Sequence, residues 1–452
     1  MYKKIFKKLP LYLQNIIMTF YNIYILNKKF GYIPLVKNLK KLTKEAEQLR
    51  FSQSDKEILK NINNLILYAQ NHTEYYKQNK DRYFLLKSLK DIKKLPFITK
   101  NILRENNDKF FSDESFKNVV VLHTSGTTGT PLTIRVRKKD LQLKYKLLLK
   151  AFSECNIDIS KNYARFIGHD LFDDKKFFKR DILNNHIYFS IFHLTSQNIK
   201  NYVNIIKKYN ITTLEAYPSV IYLFAKLINE QKLNLSVKNI ITTAEKLHDY
   251  QKKFIEDTFK CKVFDYYGSN DQSVFIYTCK KGKLHVANTT GFLEVIDQNN
   301  LKDVEPGKEG KMIITSFTSY YMPLIRYDIG DYCVIDKEQY CECGNGGLIV
   351  KEILGRDEEI FQAKNGRYIT RVSLFLKELP QEVIESQLIF SNKKNKITLL
   401  YVSNKNIENK NFSSFIKKLR SYVGNDYSLE IKRVDSIEIK KSGKRKAIKI
   451  EN

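Results

Sequence analysis

The 452-residue chain has no tryptophan, no dense set of cysteine pairs, no internal repeat and no long low-complexity tract. Its six cysteines, Cys155, Cys261, Cys279, Cys333, Cys341 and Cys343, are too sparse for a disulfide scaffold, and a chain of this size does not need one. A reducing cytoplasm is the expectation. No stretch reaches the roughly 18 to 20 apolar residues that a membrane-spanning helix needs. The most apolar N-terminal segment, Leu11 to Leu26, is interrupted by Gln14, Asn15, Thr19 and Asn22. It follows Lys3, Lys4, Lys7 and Lys8, but no small-residue cleavage site comes after it, which argues against a signal peptide. A buried amphipathic helix is expected there. The alternative is a helix lying on a membrane surface, a peripheral contact at the inner face of the membrane flanked by basic residues.

What is present describes a folded protein. Hydrophobic residues make up 42% and charged residues 28%, so disorder is not the expected state. Tyrosine and phenylalanine supply material for a sizeable core, and the length predicts more than one domain. The formal net charge of +29 invites an anionic partner. Lysine is spread along the whole chain, however, which reads as compositional bias, and no specific nucleic-acid site is expected.

Residues 1–95 read as helical, with apolar residues at helical spacing from Asp55-Lys56-Glu57-Ile58-Leu59 to Ala69. Residues 96–290 alternate strand-like and helical stretches: a strand at Val119 to Leu122, another at Asn239 to Thr243, a helix from Asp249 to Phe259 and a strand at Lys262 to Tyr266. Residues 291–355 are β-rich, with turns expected at Pro306-Gly307 and Glu309-Gly310. Residues 1–355 therefore predict a large layered α/β domain of helices and mixed β-sheets. Gly355-Arg356-Asp357 reads as a boundary, and residues 356–452 predict a small α+β C-terminal domain. Its strands are expected at Lys396 to Val402 and Ser428 to Arg433, with a helix at Phe415 to Val423.

A strand feeds the segment Thr124-Ser125-Gly126-Thr127-Thr128-Gly129-Thr130-Pro131. Glycines let backbone N–H groups turn toward a guest, and hydroxyls add donors, a combination suited to phosphate oxygens. It is not a Walker A loop, because no Gly-Lys-Ser/Thr follows at the required spacing.

Other motifs follow in order: Thr243-Ala244-Glu245, Tyr266-Tyr267-Gly268-Ser269-Asn270-Asp271, Arg326-Tyr327-Asp328-Ile329-Gly330-Asp331, Gly355-Arg356-Asp357 and Ser442-Gly443-Lys444. Together they resemble the phenylacetate–CoA ligase family of adenylate-forming (acyl-CoA synthetase-like) ligases. Within it the chain is similar to the CapK-like branch associated with capsular polysaccharide biosynthesis. The resemblance covers nearly the whole chain. It implies that Thr124, Ser125, Gly126, Thr127, Thr128 and Gly129 hold the triphosphate of ATP, and that Ala244 and Glu245 line the adenine pocket. Tyr267, next to Gly268, offers adenine a flat face. Asp328 accepts hydrogen bonds from the ribose hydroxyls. Asp271 ligates Mg2+, where relatives usually carry Glu. Arg356 reaches the ribose or a phosphate, Asp357 is the hinge of a mobile C-terminal domain, and Lys444 is the catalytic lysine. An ammonium there offsets the repulsion between carboxylate and α-phosphate. The chain departs from the pattern after Pro131: many adenylating enzymes place a lysine soon afterwards, whereas this one has Leu132-Thr133.

A second constellation is Cys279, His285 and Cys341-Glu342-Cys343-Gly344. Thiolates and imidazole are favoured zinc ligands, and four of them would close a tetrahedral structural site; ordinary thiols are the other reading.

The implied activity has two steps. A carboxylic acid and MgATP give an acyl-adenylate and pyrophosphate, and the acyl group then passes to coenzyme A. In the polysaccharide branch the acceptor would instead be a sugar amine or hydroxyl, or a carrier. A non-catalytic ligase fold is a third reading, favoured only by Asp271 and the missing early lysine. The acid pocket is expected around Phe189 to His193 and Tyr217 to Ser219.

Overall fold

The structure is a computed structural model. It describes the chain apart from residues 1–5, 7, 31–35, 124–132, 161, 168–175, 192, 270–273, 298–299, 357–360, 363–367, 370–377, 381, 384, 392, 439–447 and 452. Helices come first: α1 (Leu11–Phe30), α2 (Val36–Glu47), α3 (Asp55–His72) and two short ones, α4 (Glu74–Gln78) and α5 (Lys100–Glu105). A hairpin of β1 (Val119–His123) and β2 (Thr133–Arg137) leads into α6 (Lys138–Glu154). Strands β3 (Tyr163–Ile167), β4 (Phe178–Asp181) and β5 (His186–Ser190) precede an alternation of α7 (Ile199–Lys208), β6 (Thr213–Ala216), α8 (Pro218–Glu230), β7 (Asn239–Thr243) and α9 (Asp249–Phe259). Then come β8 (Val263–Gly268), β9 (Phe275–Thr278), β10 (Leu284–Val286), β11 (Gly291–Ile296), β12 (Glu309–Ser316), β13 (Tyr327–Ile335) and β14 (Ile349–Arg356).

The chain groups into two compact units, one of residues 1–18, 162–263 and 354–452, the other of residues 19–161 and 264–353. In the first unit β5, β3, β6 and β7 pair side by side in parallel, with β4 antiparallel at the edge. Parallel strands need crossover helices, and α7 and α8 supply them. Both faces of such a sheet are covered, which is why β6 is buried at every position. Phe166, Phe189, Tyr202 and Phe224 form the centre of this core.

In the second unit the strands are antiparallel: β8 with β9, β9 with β10, β10 with β14, and β11 with β12 and β12 with β13. Helix α3 lays Ile58, Ile62, Leu65, Ile66 and Ala69 into the core of this unit. Its start is set by a capping box: Ser54 Oγ accepts the Glu57 N–H, and the Glu57 carboxylate accepts the Ser54 N–H at 2.8 Å.

After an antiparallel pair of short strands, β15 (Phe361–Gln362) and β16 (Tyr368–Ile369), the C-terminal residues build their own sheet, in the order β19 (Ser428–Arg433), β18 (Lys396–Val402), β17 (Glu385–Ser391) and β20 (Ile448–Glu451), covered by α10 (Ser413–Val423). Leu388, Phe390, Leu399, Phe415 and Leu419 fill a separate core beneath the helix. The fold is thus mixed α/β with a smaller C-terminal α+β part, and the strands and helix expected there are found.

Two expectations change. Glu309-Gly310 is not a turn; it opens β12. Glycine is required there because a Cβ would stand 2.8 Å from the Ile296 carbonyl oxygen and 2.8 Å from Val295. The N-terminal helix forms, but not as a buried amphipathic helix: Gln14, Thr19 and Asn22 are buried, while Tyr12, Phe20 and Tyr24 are exposed. Among the described residues no helix is long and apolar enough to cross a membrane.

Candidate functional site

The candidate nucleotide residues fall into three groups. Thr124, Ser125, Gly126, Thr127, Thr128, Gly129, Asp271, Asp357 and Lys444 lie outside the described residues. What the structure supplies for the phosphate segment is its frame. The antiparallel ladder from Val119↔Arg137 to His123↔Thr133 brings the two ends of the segment opposite each other. The base of this hairpin is pinned by Arg137, whose Nε and Nη2 donate to Asp140 at 2.6 and 2.8 Å in a buried pair. The same guanidinium lies 4.4 Å from the Tyr320 ring centroid.

The second group belongs to the first unit. Ala244 follows β7 with φ of +67°, the left-handed region, so the chain turns sharply there. Glu245 Oε2 accepts the Ser219 N–H at 3.1 Å, placing a carboxylate on the first turn of α8. Pro218 opens that helix, and a negative charge at its N-terminus is favourable. Glu245 thus helps hold the Tyr217-Pro218-Ser219 segment. Phe189, expected near the acid pocket, is instead fully buried, with its ring centroid 5.0 Å from that of Tyr202. Next to it His193 Nδ1 lies 2.7 Å from Ser190 Oγ.

The third group belongs to the second unit and is the best defined. Tyr267, near the end of β8, packs against the core of that unit, and its hydroxyl donates to the buried carboxylate of Asp331. Both ends of the tyrosine are therefore held. Gly268 follows it, and a Cβ there would meet nothing within 4 Å, so the backbone is open. Asp328, on the same strand as Asp331, is partly buried. Its Oδ1 accepts the Gly330 N–H at 2.9 Å, and its Oδ2 pairs with Lys311 Nζ at 3.1 Å. A carboxylate has about four lone-pair sites, so two remain for a diol. Lys311 was not singled out by the sequence. It stands on β12 beside a register shift between Lys311 and Ile313, and only cross-strand pairing reveals it. Arg356 ends β14, and its side chain is not described.

Arg326, the first residue of the Arg326-Tyr327-Asp328 motif, acts on the frame. It is buried and bidentate to Glu294, at 3.0 and 2.8 Å, and also donates to the Lys93 carbonyl at 3.0 Å and to that of Leu95. Burial raises the Glu294 pKa even beside the guanidinium. Loss of one partner from such a buried pair typically costs about 3–5 kcal/mol.

The structure does bring Cys279, His285, Cys341 and Cys343 together, with their ligand atoms all within 4.8 Å of one another. Two tight turns build the cluster. In one, the Gly282 N–H bonds the Cys279 carbonyl at 2.8 Å; in the other, the Gly344 N–H bonds the Cys341 carbonyl at 3.3 Å. Gly347 follows with φ of +94°, where a Cβ would stand 2.5 Å from the Val286 carbonyl oxygen, so the second turn can press against β10. Cys279 Sγ lies 3.7 Å from Cys341 Sγ, and His285 Nε2 lies 3.5 Å from Cys343 Sγ. A tetrahedral zinc with sulfur at ~2.3 Å has S···S edges of ~3.8 Å, so the donor set and its spacing fit that ion.

The electrostatics are divided. Burial pushes the Cys343 thiol up to about 12. Burial also acts to raise Cys341, but hydrogen bonds from the Cys343 backbone and from the neighbouring thiols bring it below its ordinary value. A cation would offset the cost of holding these thiolates out of water.

Comparison with known proteins places the chain. Residues 361–451 match a family model described as the CapK C-terminal domain. Protein CapK of Staphylococcus aureus is 26% identical over 364 residues, 79% of each chain. A phenylacetate-coenzyme A ligase of Thermus thermophilus is 21% identical over 366 residues, 77% of this chain and 79% of that one. Among solved structures, 2-hydroxyisobutyryl-CoA ligase in the postadenylation state, in complex with 2-HIB-AMP, superposes with a TM-score of 0.67 at 17% identity, over 88% of this chain and 89% of that one. The anthranilate CoA ligase AuaEII, in complex with anthranoyl-AMP, does so with a TM-score of 0.52 at 15% identity, over 74% and 67%.

Proposed function

From the premise that this chain has the adenylate-forming ligase fold and is related in sequence to phenylacetate–coenzyme A ligases and CapK, we propose that it activates a carboxylic acid with ATP. The products of the first step are an acyl-adenylate and pyrophosphate; in the second, the acyl group passes to coenzyme A. The observation that carries this reading is the arrangement around β13. Asp331 orients the ring of Tyr267, and Lys311 with the Gly330 N–H orients the carboxylate of Asp328. A stacking face and a diol acceptor held on one rigid sheet suit the adenosine half of ATP.

The remaining roles rest on the motifs. Thr124 to Gly129 hold the triphosphate, Ala244 and Glu245 border adenine, and Arg356 contacts the ribose or a phosphate. Asp271 would supply a carboxylate oxygen to Mg2+, an ion that suits carboxylate and phosphate oxygens. Lys444 sits between carboxylate and α-phosphate as charge develops. Residues 356–452 form the domain that turns about Asp357 to exchange the two half-reactions. Cys279, His285, Cys341 and Cys343 hold a structural zinc that joins the two turns. The protein acts in the cytoplasm.

ATP–pyrophosphate exchange with a panel of carboxylic and amino acids tests the first step. Exchange with at least one acid is expected, and Lys444→Ala should lower it by about 10²–10³-fold. No exchange by a folded protein that binds ATP would sink the enzymatic reading and leave a non-catalytic ligase fold. The match of residues 361–451 to the CapK C-terminal domain favours one second reading, with a sugar or carrier as acceptor in surface polysaccharide synthesis. Thioester formation on adding coenzyme A supports the first acceptor, and exchange without thioester supports the second. For the cluster, metal analysis should find one zinc per chain, lost in Cys341→Ser; metal-free purified protein rejects the site.

A further inference from the structure

Helix α1 turns a broad apolar face to the outside. At about 100° per residue, Tyr12, Ile16, Ile17, Phe20, Tyr21 and Tyr24 occupy one half of the helical circumference. All six are exposed, from 40% for Ile16 to 66% for Phe20. The opposite half carries Gln14, Met18, Thr19 and Asn22, all buried, together with the half-buried Leu11, Ile25 and Leu26. Two polar side chains on that side bond the protein: the Gln14 amide donates to the Leu9 carbonyl at 2.7 Å, and Asn15 Oδ1 accepts the Arg180 N–H at 2.9 Å. A surface helix ordinarily does the reverse, turning its apolar stripe to the core. Six large apolar side chains gathered on one outward face are a docking surface.

Charge chooses the occupant. Residues 1–44 contain ten lysines and no aspartate or glutamate. Lys8 is exposed one turn before Tyr12, and Lys28 and Lys29 are exposed one turn after Tyr24. Lys28 Nζ lies 5.8 Å from the Tyr24 ring centroid, so its stem runs along the aromatic face toward the helix end. A second copy of this chain would bring the same cations to the contact, and like charges across an interface repel. An anionic bilayer complements them. Aromatic rings with a polar tip suit the headgroup level, and flanking lysines reach the phosphates while their stems stay apolar. The inner half, with Gln14, Met18, Thr19 and Asn22 buried against the protein, keeps the helix on the surface and out of the hydrocarbon.

We propose that α1 docks this protein on an anionic lipid bilayer, lying in the interface plane with the Tyr12-to-Tyr24 face toward the acyl chains. The inference is independent of the ligase reading.

The test uses the full chain and vesicles of phosphatidylcholine, alone or with an equal part of phosphatidylglycerol. The chain has no tryptophan, so Phe20→Trp installs a single indole, excited selectively over the tyrosines, at the centre of the face. Flotation with the anionic vesicles and a blue-shifted emission are expected, with little of either on neutral vesicles. Phe20→Ser with Tyr24→Ser should abolish flotation while leaving the melting curve and helix content in place. Lys28→Gln and Lys29→Gln should each weaken binding about fivefold. An unshifted Phe20→Trp emission, with no flotation of the folded protein, overturns the proposal even if the serine variant does not fold. Equal binding to neutral vesicles overturns the charge-based choice of occupant. Self-association that depends on Phe20, seen by light scattering in the absence of vesicle binding, assigns the face to a second copy and overturns it too.

Discussion

Helices α1 and α3 are close in length, 20 and 18 residues, and opposite in use. Helix α3 turns Ile58, Ile62, Leu65 and Ile66 inward and starts at a capping box. Helix α1 turns Gln14, Thr19 and Asn22 inward and leaves Phe20 and Tyr24 outside. The lesson is that an amphipathic pattern defines two faces without saying which one meets the protein. For α3 the neighbour is an apolar core that removes side chains from water. For α1 the inner face meets backbone groups at Leu9 and Arg180 that need hydrogen-bond partners.

The largest effect that would sharpen this contrast is expected in α3. Leu65 is fully buried, and Leu65→Ala should cost about 2–5 kcal/mol in chemical denaturation through lost burial and a cavity. A value near zero would mean that α3 is not fixed by its core. Next comes the cap: Ser54→Ala should cost about 1 kcal/mol by the same measurement.

A pH effect accompanies the cap. The backbone hydrogen bond from Ser54, with help from Arg50 and the Ser54 side chain, lowers the Glu57 pKa from 4.5 to about 2. A carboxylate with a depressed folded-state pKa adds stability above its unfolded pKa and loses it as pH falls through the folded one. The difference between wild type and Glu57→Gln should therefore be full at neutral pH, shrink from about pH 4.5 downward and vanish near pH 2. A constant offset across an acid titration would remove the capping box as its cause. The smallest effect on folding is expected in α1, where Phe20→Ser should change stability by less than about 0.5 kcal/mol. A loss comparable to that of Leu65→Ala would show that α1 is held by its outer face, and the contrast would break.

Much of the fold was legible along the chain. Asn239–Thr243, Asp249–Phe259, Lys396–Val402 and Ser428–Arg433 form the expected strands and helix. Residue type and flanking turns suffice for them; burial alternates along Lys396–Val402, whereas Asn239–Thr243 is buried at three successive positions. Gly310 misled because its glycine reads as a turn, whereas its purpose is close approach to Ile296. At the candidate site, Tyr267 and Asp328 were legible as residues of a motif. Their supports were not: Asp331 belongs to the same motif, but its contact with Tyr267 comes from distant packing, and Lys311 reaches Asp328 from the neighbouring strand, which no local pattern reveals. The reversed faces of α1 were hidden for the same reason: Arg180, which satisfies Asn15, is 165 positions away.

By itself the sequence determined where many of the helices and strands lie, which residue types are gathered in motifs, and that the N-terminus is cationic. Local spacing and residue type suffice for these, because backbone periodicity and side-chain functional groups are properties of neighbours in the chain. Only the tertiary structure decided that Cys279, His285, Cys341 and Cys343 converge, that Arg326 is buried against Glu294, and that α1 faces outward with Tyr12, Phe20 and Tyr24. Each of these depends on which distant group removes a side chain from water or satisfies its hydrogen bonds, and that is a property of packing.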